Sequence, residues 1–207
     1  DFFKNNSDIM TVGTYKSEED RKQHRILDIN GIKFGFLAYT YGTNVDPDTG
    51  DEYKVGYYAD PYTSKVTAAS KTIMKDEIAD LKNNCDVLVV LMHWGNEFTF
   101  EYDDEQYELA QFLSDCQVDL VVGSHSHNIQ PIEMVNDTLV YYSLGNFVSA
   151  DEDLDRTYYT ETFDNAYQVG MMATLDVVID ENGLKFENMN TEMIVNYFDA
   201  DARNFEL

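Results

Sequence analysis

Apolar positions along this chain recur in short runs, and their spacing switches between the period of a strand and that of a helix. His24–Ile29 and Ile32–Tyr39 read as two strands around Asn30-Gly31, a dipeptide suited to a tight hairpin turn. Residues 40–60 hold Gly42, Pro47, Gly50 and Gly56 among many Tyr and Asp, and predict a long loop. From Ser64 to Asn83 the pattern is helical. Ile73, Ile78 and Leu81 give an apolar stripe, Ser64 is the candidate cap, and Asn83-Asn84 the stop. Cys85–Met92 is a continuous apolar run, which suits a strand buried on both faces and, by preference, parallel. Asp104–Cys116 is helical, with Leu109, Phe112 and Leu113 on one side, and Val118–Val122 is a second buried strand. Strand, helix and strand in that order imply a parallel pair joined by a right-handed crossover.

Two more hairpins follow. Ile129–Val135 and Thr138–Ser143 flank Asn136-Asp137, and Gln168–Ile179 and Leu184–Met193 flank Glu181-Asn182-Gly183. Between them, residues 150–166 form an acidic, Tyr-rich loop. With no internal repeat and no low-complexity linker, the chain reads as a single domain over residues 1–207. The predicted fold class is α/β, a layered sandwich with a mixed sheet.

Composition sharpens this picture. The 207 residues can enclose a real core, and 43% hydrophobic and 14% aromatic content predicts an ordered chain. The formal net charge of −25, from 39 acidic and 14 basic residues, excludes nucleic acid as a partner, because such binding neutralises phosphates with Lys and Arg. It equally disfavours docking on anionic lipid. The two cysteines, Cys85 and Cys116, form no C-x-x-C pair. They read as small buried hydrophobes, with a disulfide between them as the alternative.

Candidate chemistry gathers on three of the four histidines. His93 directly follows the strand at 85–92, and His125 and His127 follow the strand at 118–122 in Gly-Ser-His-Ser-His. The carboxyl ends of neighbouring parallel strands open on one edge, the usual place for a ligand, so the crossover brings all three to one rim. In an extended segment residues i and i+2 project alike, so His125 and His127 are expected to point into one pocket, with Gly123 allowing close backbone approach. Imidazole suits zinc, manganese and iron, so the three are candidate ligands, as against three unrelated histidines at the surface or in hydrogen bonds. Residues 83–155 contain no Lys or Arg. An anion bound there would need its positive charge from a metal ion, unless Arg156 or Arg203 folds back. Glu97 is a candidate general acid/base or a partner orienting a histidine, as against a solvated loop carboxylate. Asn146 is a polar residue beyond a strand, as against a turn Asn. Trp94, the only Trp, is a candidate pocket wall, as against packed core.

Three segments carry a family resemblance. His93-Trp94-Gly95 with Glu97 resembles an "LHWG-x-E" motif. Asp119 to His127, followed by Gln130-Pro131-Ile132-Glu133, resembles "DLVIGHHPHVLQPIE". Tyr141 to Val148 is similar to "FYSLGNFVF". Together with the strand pair at 24–40, they mark a resemblance over roughly residues 24–195 to the CapA/PgsA-type capsule-synthesis family, whose domain is similar to calcineurin-like metallophosphoesterases. The resemblance implies a divalent metal site (Mn, Zn or Fe) with His93, His125 and His127 as ligands or phosphate-site residues. It implies Glu97 and His125 as catalytic candidates, with Trp94 and Asn146 in the pocket. A capsule-polymer or cell-wall substrate, other capsule-synthesis proteins as partners, and an extracytoplasmic, membrane-attached bacterial protein also follow from it. The family's Gly-Asp, Asn-Leu-Glu and Asn-Asn-His segments do not occur here. The expectation is therefore the C-terminal portion of a metallophosphoesterase-like domain, with the N-terminal half absent. Alone it would be a poor catalyst, with an apolar sheet face open for a homodimer.

Overall fold

The computed structural model describes residues 9–148 and 167–195, together with the backbone of 197–199 and 204–206. The acidic loop expected at 150–166, and Arg156 and Arg203, lie outside the described residues. A mixed six-stranded sheet forms the centre. Its strands are β1 (Ile26–Ile29), β2 (Ile32–Thr40), β3 (Val87–His93), β4 (Leu120–Ser124), β5 (Ile132–Val135) and β6 (Thr138–Tyr141), in the order β1-β2-β3-β4-β6-β5. The neighbours β2-β3, β3-β4 and β4-β6 are parallel, and the two edge strands β1 and β5 close antiparallel hairpins. Asn30 and Gly31, both at positive φ, make the first turn as expected.

A single helical turn, α1 (Glu18–Arg21), precedes the sheet, and two longer helices, α2 (Ala68–Lys82) and α3 (Asp104–Asp115), make the crossovers into β3 and β4. Because the strands advance in one direction across the sheet, crossovers of one hand put α2 and α3 on the same face. One core unites them. Met74, Ile78 and Leu81 of α2 and Leu109, Ala110 and Leu113 of α3 meet Leu88, Val90, Met92 and Val121 of the sheet. Each of these side chains larger than Ala110, removed from water, contributes about 1.5–3 kcal/mol. The apolar run at 85–92 is thus a central strand buried on both faces, as its composition implies.

Two boundaries and one buried face depart most from the sequence reading. Helix α2 starts at Ala68, because Thr67 rather than Ser64 caps it: the Thr67 hydroxyl accepts from Ser70 N, and the Ser70 hydroxyl accepts from Thr67 N. Ile73 is 50% exposed, since the buried face of α2 follows Ser70, Met74, Ile78 and Leu81 instead. Strand β5 begins only at Ile132, after Pro131, which has no N–H to give to a ladder.

The long hairpin β7 (Val169–Asp180) and β8 (Gly183–Val195) packs over the other sheet face, where Met171, Leu175 and Phe186 meet Leu120, Leu139 and Tyr141. Beside this patch Phe34, Phe36, Ala38 and Leu91 are only partly buried. Two short strands, β9 (Tyr197–Asp199) and β10 (Asn204–Glu206), pair with each other. Cys85 and Cys116 are free thiols, partly buried, so the disulfide alternative does not hold.

Candidate functional site

Register aligns the rim. Thr40 of β2 pairs with His93 of β3, and His93 pairs with Ser124 of β4. The residues just past these strand ends, Tyr41 and His125, therefore flank His93. The His93 and His125 rings lie 4.4 Å apart, centroid to centroid. Tyr41 stacks on His93 at 5.9 Å and leans on His125 at 5.1 Å. Desolvation lowers the proton affinity of both imidazoles. For His93 the neighbouring His125 and His127 act in the same direction and Glu97 opposes. For His125 the opposing Glu97 is the second influence and His127 the third. Both rings are thereby biased toward the neutral form, the form that offers a lone pair.

The segment after β4 is not an extended strand. His125 has φ +97° and His127 φ +58°, in a region that L residues other than glycine seldom occupy. The two rings sit 6.4 Å apart through this left-handed turn, not through strand alternation. Between them Ser126 is fully buried, its hydroxyl donating to the Asn128 carbonyl at 2.7 Å. Such backbone strain persists where the surroundings over-determine it. Here they do: Phe98 N donates to Ser126 O at 2.7 Å, and the buried Gln130 amide donates to the Thr99 and Glu101 carbonyls.

His127 stands a little apart from the pair. Phe98 stacks on it at 5.5 Å and Tyr167 tilts against it at 5.2 Å. Its Nδ1 is 2.8 Å from Asn146 Oδ1, and its Nε2 is 3.9 Å from Glu97 Oε1. Asn146, which sequence alone leaves between pocket and turn, is thus in contact with a site histidine. Glu97 is half exposed on the rim. Trp94 is not a pocket wall. Its indole is fully buried, stacks on Tyr142, and donates to the Tyr142 carbonyl at 2.9 Å. The hydrophobic ring packs into the core because the chain just past β3 still directs this position inward.

Tyr41, Phe98 and Tyr167 are the site residues that sequence reading passes over. Tyr41 was accessible to it, being the first residue past a third parallel strand. Tyr167 was not, since it reaches His127 from a remote part of the chain.

The donors suit a divalent transition ion in kind, being neutral imidazoles beside a carboxylate. Among the described residues, however, no group of three His, Cys, Asp or Glu is placed to hold one ion, so the rim offers a pair of imidazoles with His127 and Glu97 alongside.

Fold and rim together define an α/β protein with a histidine cluster at the carboxyl ends of its parallel strands. The chain belongs to the bacterial capsule synthesis protein family PGA_cap, whose family model matches residues 3–151. The match starts well before His24 and stops short of the hairpin β7-β8. The PGA biosynthesis protein CapA of Bacillus subtilis (strain 168) is 34% identical over 148 residues, covering 72% of this chain and 36% of that protein. The capsule biosynthesis protein CapA of Bacillus anthracis is 27% identical over 176 residues, covering 83% of this chain and 40% of that protein. The chain thus spans well under half the length of these relatives. A hypothetical protein from Thermus thermophilus aligns in structure with a TM-score of 0.44 and 12% identity, over 83% of this chain and 61% of that one.

Proposed function

We propose that this chain carries part of the divalent-metal site of a metallophosphoesterase-like domain, which hydrolyses a phosphoester or amide during poly-γ-glutamate capsule synthesis at the cell surface. The observation that carries the reading is the His93–His125 pair, 4.4 Å apart on adjacent strand ends, in a segment 83–155 that holds no Lys or Arg. A divalent ion (Mn, Zn or Fe) bound there would supply the positive charge and Lewis acidity that the segment's side chains lack. His93 and His125 present neutral lone pairs, and Tyr41 restricts the tilt of both rings. Glu97, exposed on the rim, accepts or returns a proton, with His125 as the second candidate for that role. Further donors come from the larger part of the relatives' length that this chain does not span.

The partner is a capsule polymer or a cell-wall component, handled with other capsule-synthesis proteins. A surface at −25 repels polyglutamate, so contact with the polymer runs through bridging divalent cations. The full-length protein is proposed to be anchored to the membrane outside the cytoplasm. Among the described residues no helix is long and apolar enough to cross a membrane.

Calorimetric titration of the chain with zinc and with manganese tests the metal reading. One ion should bind per chain, and the His125→Ala/His127→Ala variant should lose it. No binding to the unsubstituted chain would mean that the donors from the unspanned length are required or that these histidines are not ligands, and the assembly reading below would then lead until a longer chain was tested. A second reading is a non-catalytic assembly or export component, favoured by the lack of a three-donor group among the described residues. The two separate in the full-length protein, where His125→Ala abolishes turnover on the first reading and leaves capsule output unchanged on the second.

A further inference from the structure

The amide of Asn146 decides which nitrogen of His127 faces the rim. Its two ends are distinguishable by what they meet. One end lies 2.8 Å from the Tyr167 backbone carbonyl, a group that only accepts. That end must therefore be the Nδ2 donor, and the orientation is assigned by this network. The other end, Oδ1, then faces His127 Nδ1 at 2.8 Å and can only accept. In the neutral imidazole the proton is thus held on Nδ1, and Nε2 carries the lone pair. Nε2 is the atom turned toward Glu97, 3.9 Å from its carboxylate. A lone pair and a carboxylate facing each other across that gap make a place for a cation.

We infer that Asn146 is a positioning residue, with the Tyr167 carbonyl as its anchor, which locks His127 in the Nδ1-protonated tautomer and so aims the Nε2 lone pair at the rim. The stacking of Phe98 and the tilt of Tyr167 against the same ring hold its plane, while Asn146 fixes its chemical direction. A hydrogen bond to the distal nitrogen of a ligand histidine sets both tautomer and basicity, and losing it typically costs about 10–100-fold in metal affinity. The consequence for metal rests on the function proposed above, whereas the tautomer is a property of the chain itself.

The test is nitrogen-15 NMR on the full chain labelled at histidine, without metal, at a pH where imidazole is neutral. The expected spectrum gives His127 a protonated, pyrrole-type Nδ1 and an unprotonated, pyridine-type Nε2. In Asn146→Ala the pyridine-type signal should move to Nδ1 in a large fraction of molecules, with His93 and His125 unchanged. The wild-type spectrum by itself decides the tautomer, which covers the case of an Ala variant that fails to fold. A wild-type His127 protonated on Nε2, or a folded Ala variant that keeps the wild-type pattern, would overturn the inference. A locked tautomer in a chain that takes up no zinc supports the assignment and counts against the metal reading instead.

Discussion

Gly123 has space for a hydrogen and little else. A Cβ built there would lie 1.9 Å from the Tyr142 carbonyl oxygen and 2.4 Å from Trp94 Nε1. Neither neighbour can yield, because the first is backbone beside β6 and the indole is pinned by its own hydrogen bond to that same carbonyl. Gly123→Ala is therefore expected to cost about 3 kcal/mol or more, the upper range for overpacking, and to appear as a lower urea midpoint. Unchanged stability would show that β4 and β6 can separate at this point. The role of this glycine is close approach, not the freedom of a left-handed turn. That freedom is instead taken by His125 and His127, which have a Cβ and take the strain. No sequence signal marks such residues. The row of histidines was legible because strand ends are legible, whereas the turn that spreads them was not.

Elements were easiest to read where composition left one choice. Strand β3 is apolar throughout, and only a strand covered on both faces satisfies that. Helix α2 was harder at its start, because Ser64 and Thr67 are both competent caps and the reciprocal bond comes from Ser70, not from the more familiar Glu or Gln. Helix α3 starts cleanly, with Asp103 accepting from Gln106 N and Gln106 Oε1 accepting from Asp103 N. Asp103 also receives a hydrogen bond from Asn96 at 2.7 Å, so the cap ties the helix to the loop carrying Glu97 and Phe98. Asp103→Ala is expected to cost about 1 kcal/mol through the lost cap. Amide exchange should rise both in the first turn of α3 and in residues 95–99. Faster exchange confined to the helix would show that the loop does not depend on the cap.

Across the whole molecule, acidity and buried phenols combine into a pH response. Tyr39 and Tyr58 are almost fully buried. Burial raises the proton affinity of both phenols. Glu77 adds to this at Tyr39 through its charge and hydrogen bond, and Glu105 and Asp103 add at Tyr58. The unfolded chain releases these protons at pH ~10, before the folded chain does. Their stabilisation is thus complete below that pH and is lost as pH rises toward the folded values. Urea midpoints should fall steadily in alkali, and less steeply in Tyr39→Phe. Identical slopes would place the sensitivity elsewhere. The cluster of rings at the strand ends has a consequence of another kind. His93 and Phe98 are exposed, and Glu97 and His127 stand beside them along the sheet edge. Among the described residues, this stretch of the edge stands open to solvent. An open edge, unlike a closed hole, does not by itself measure the length of what is laid along it.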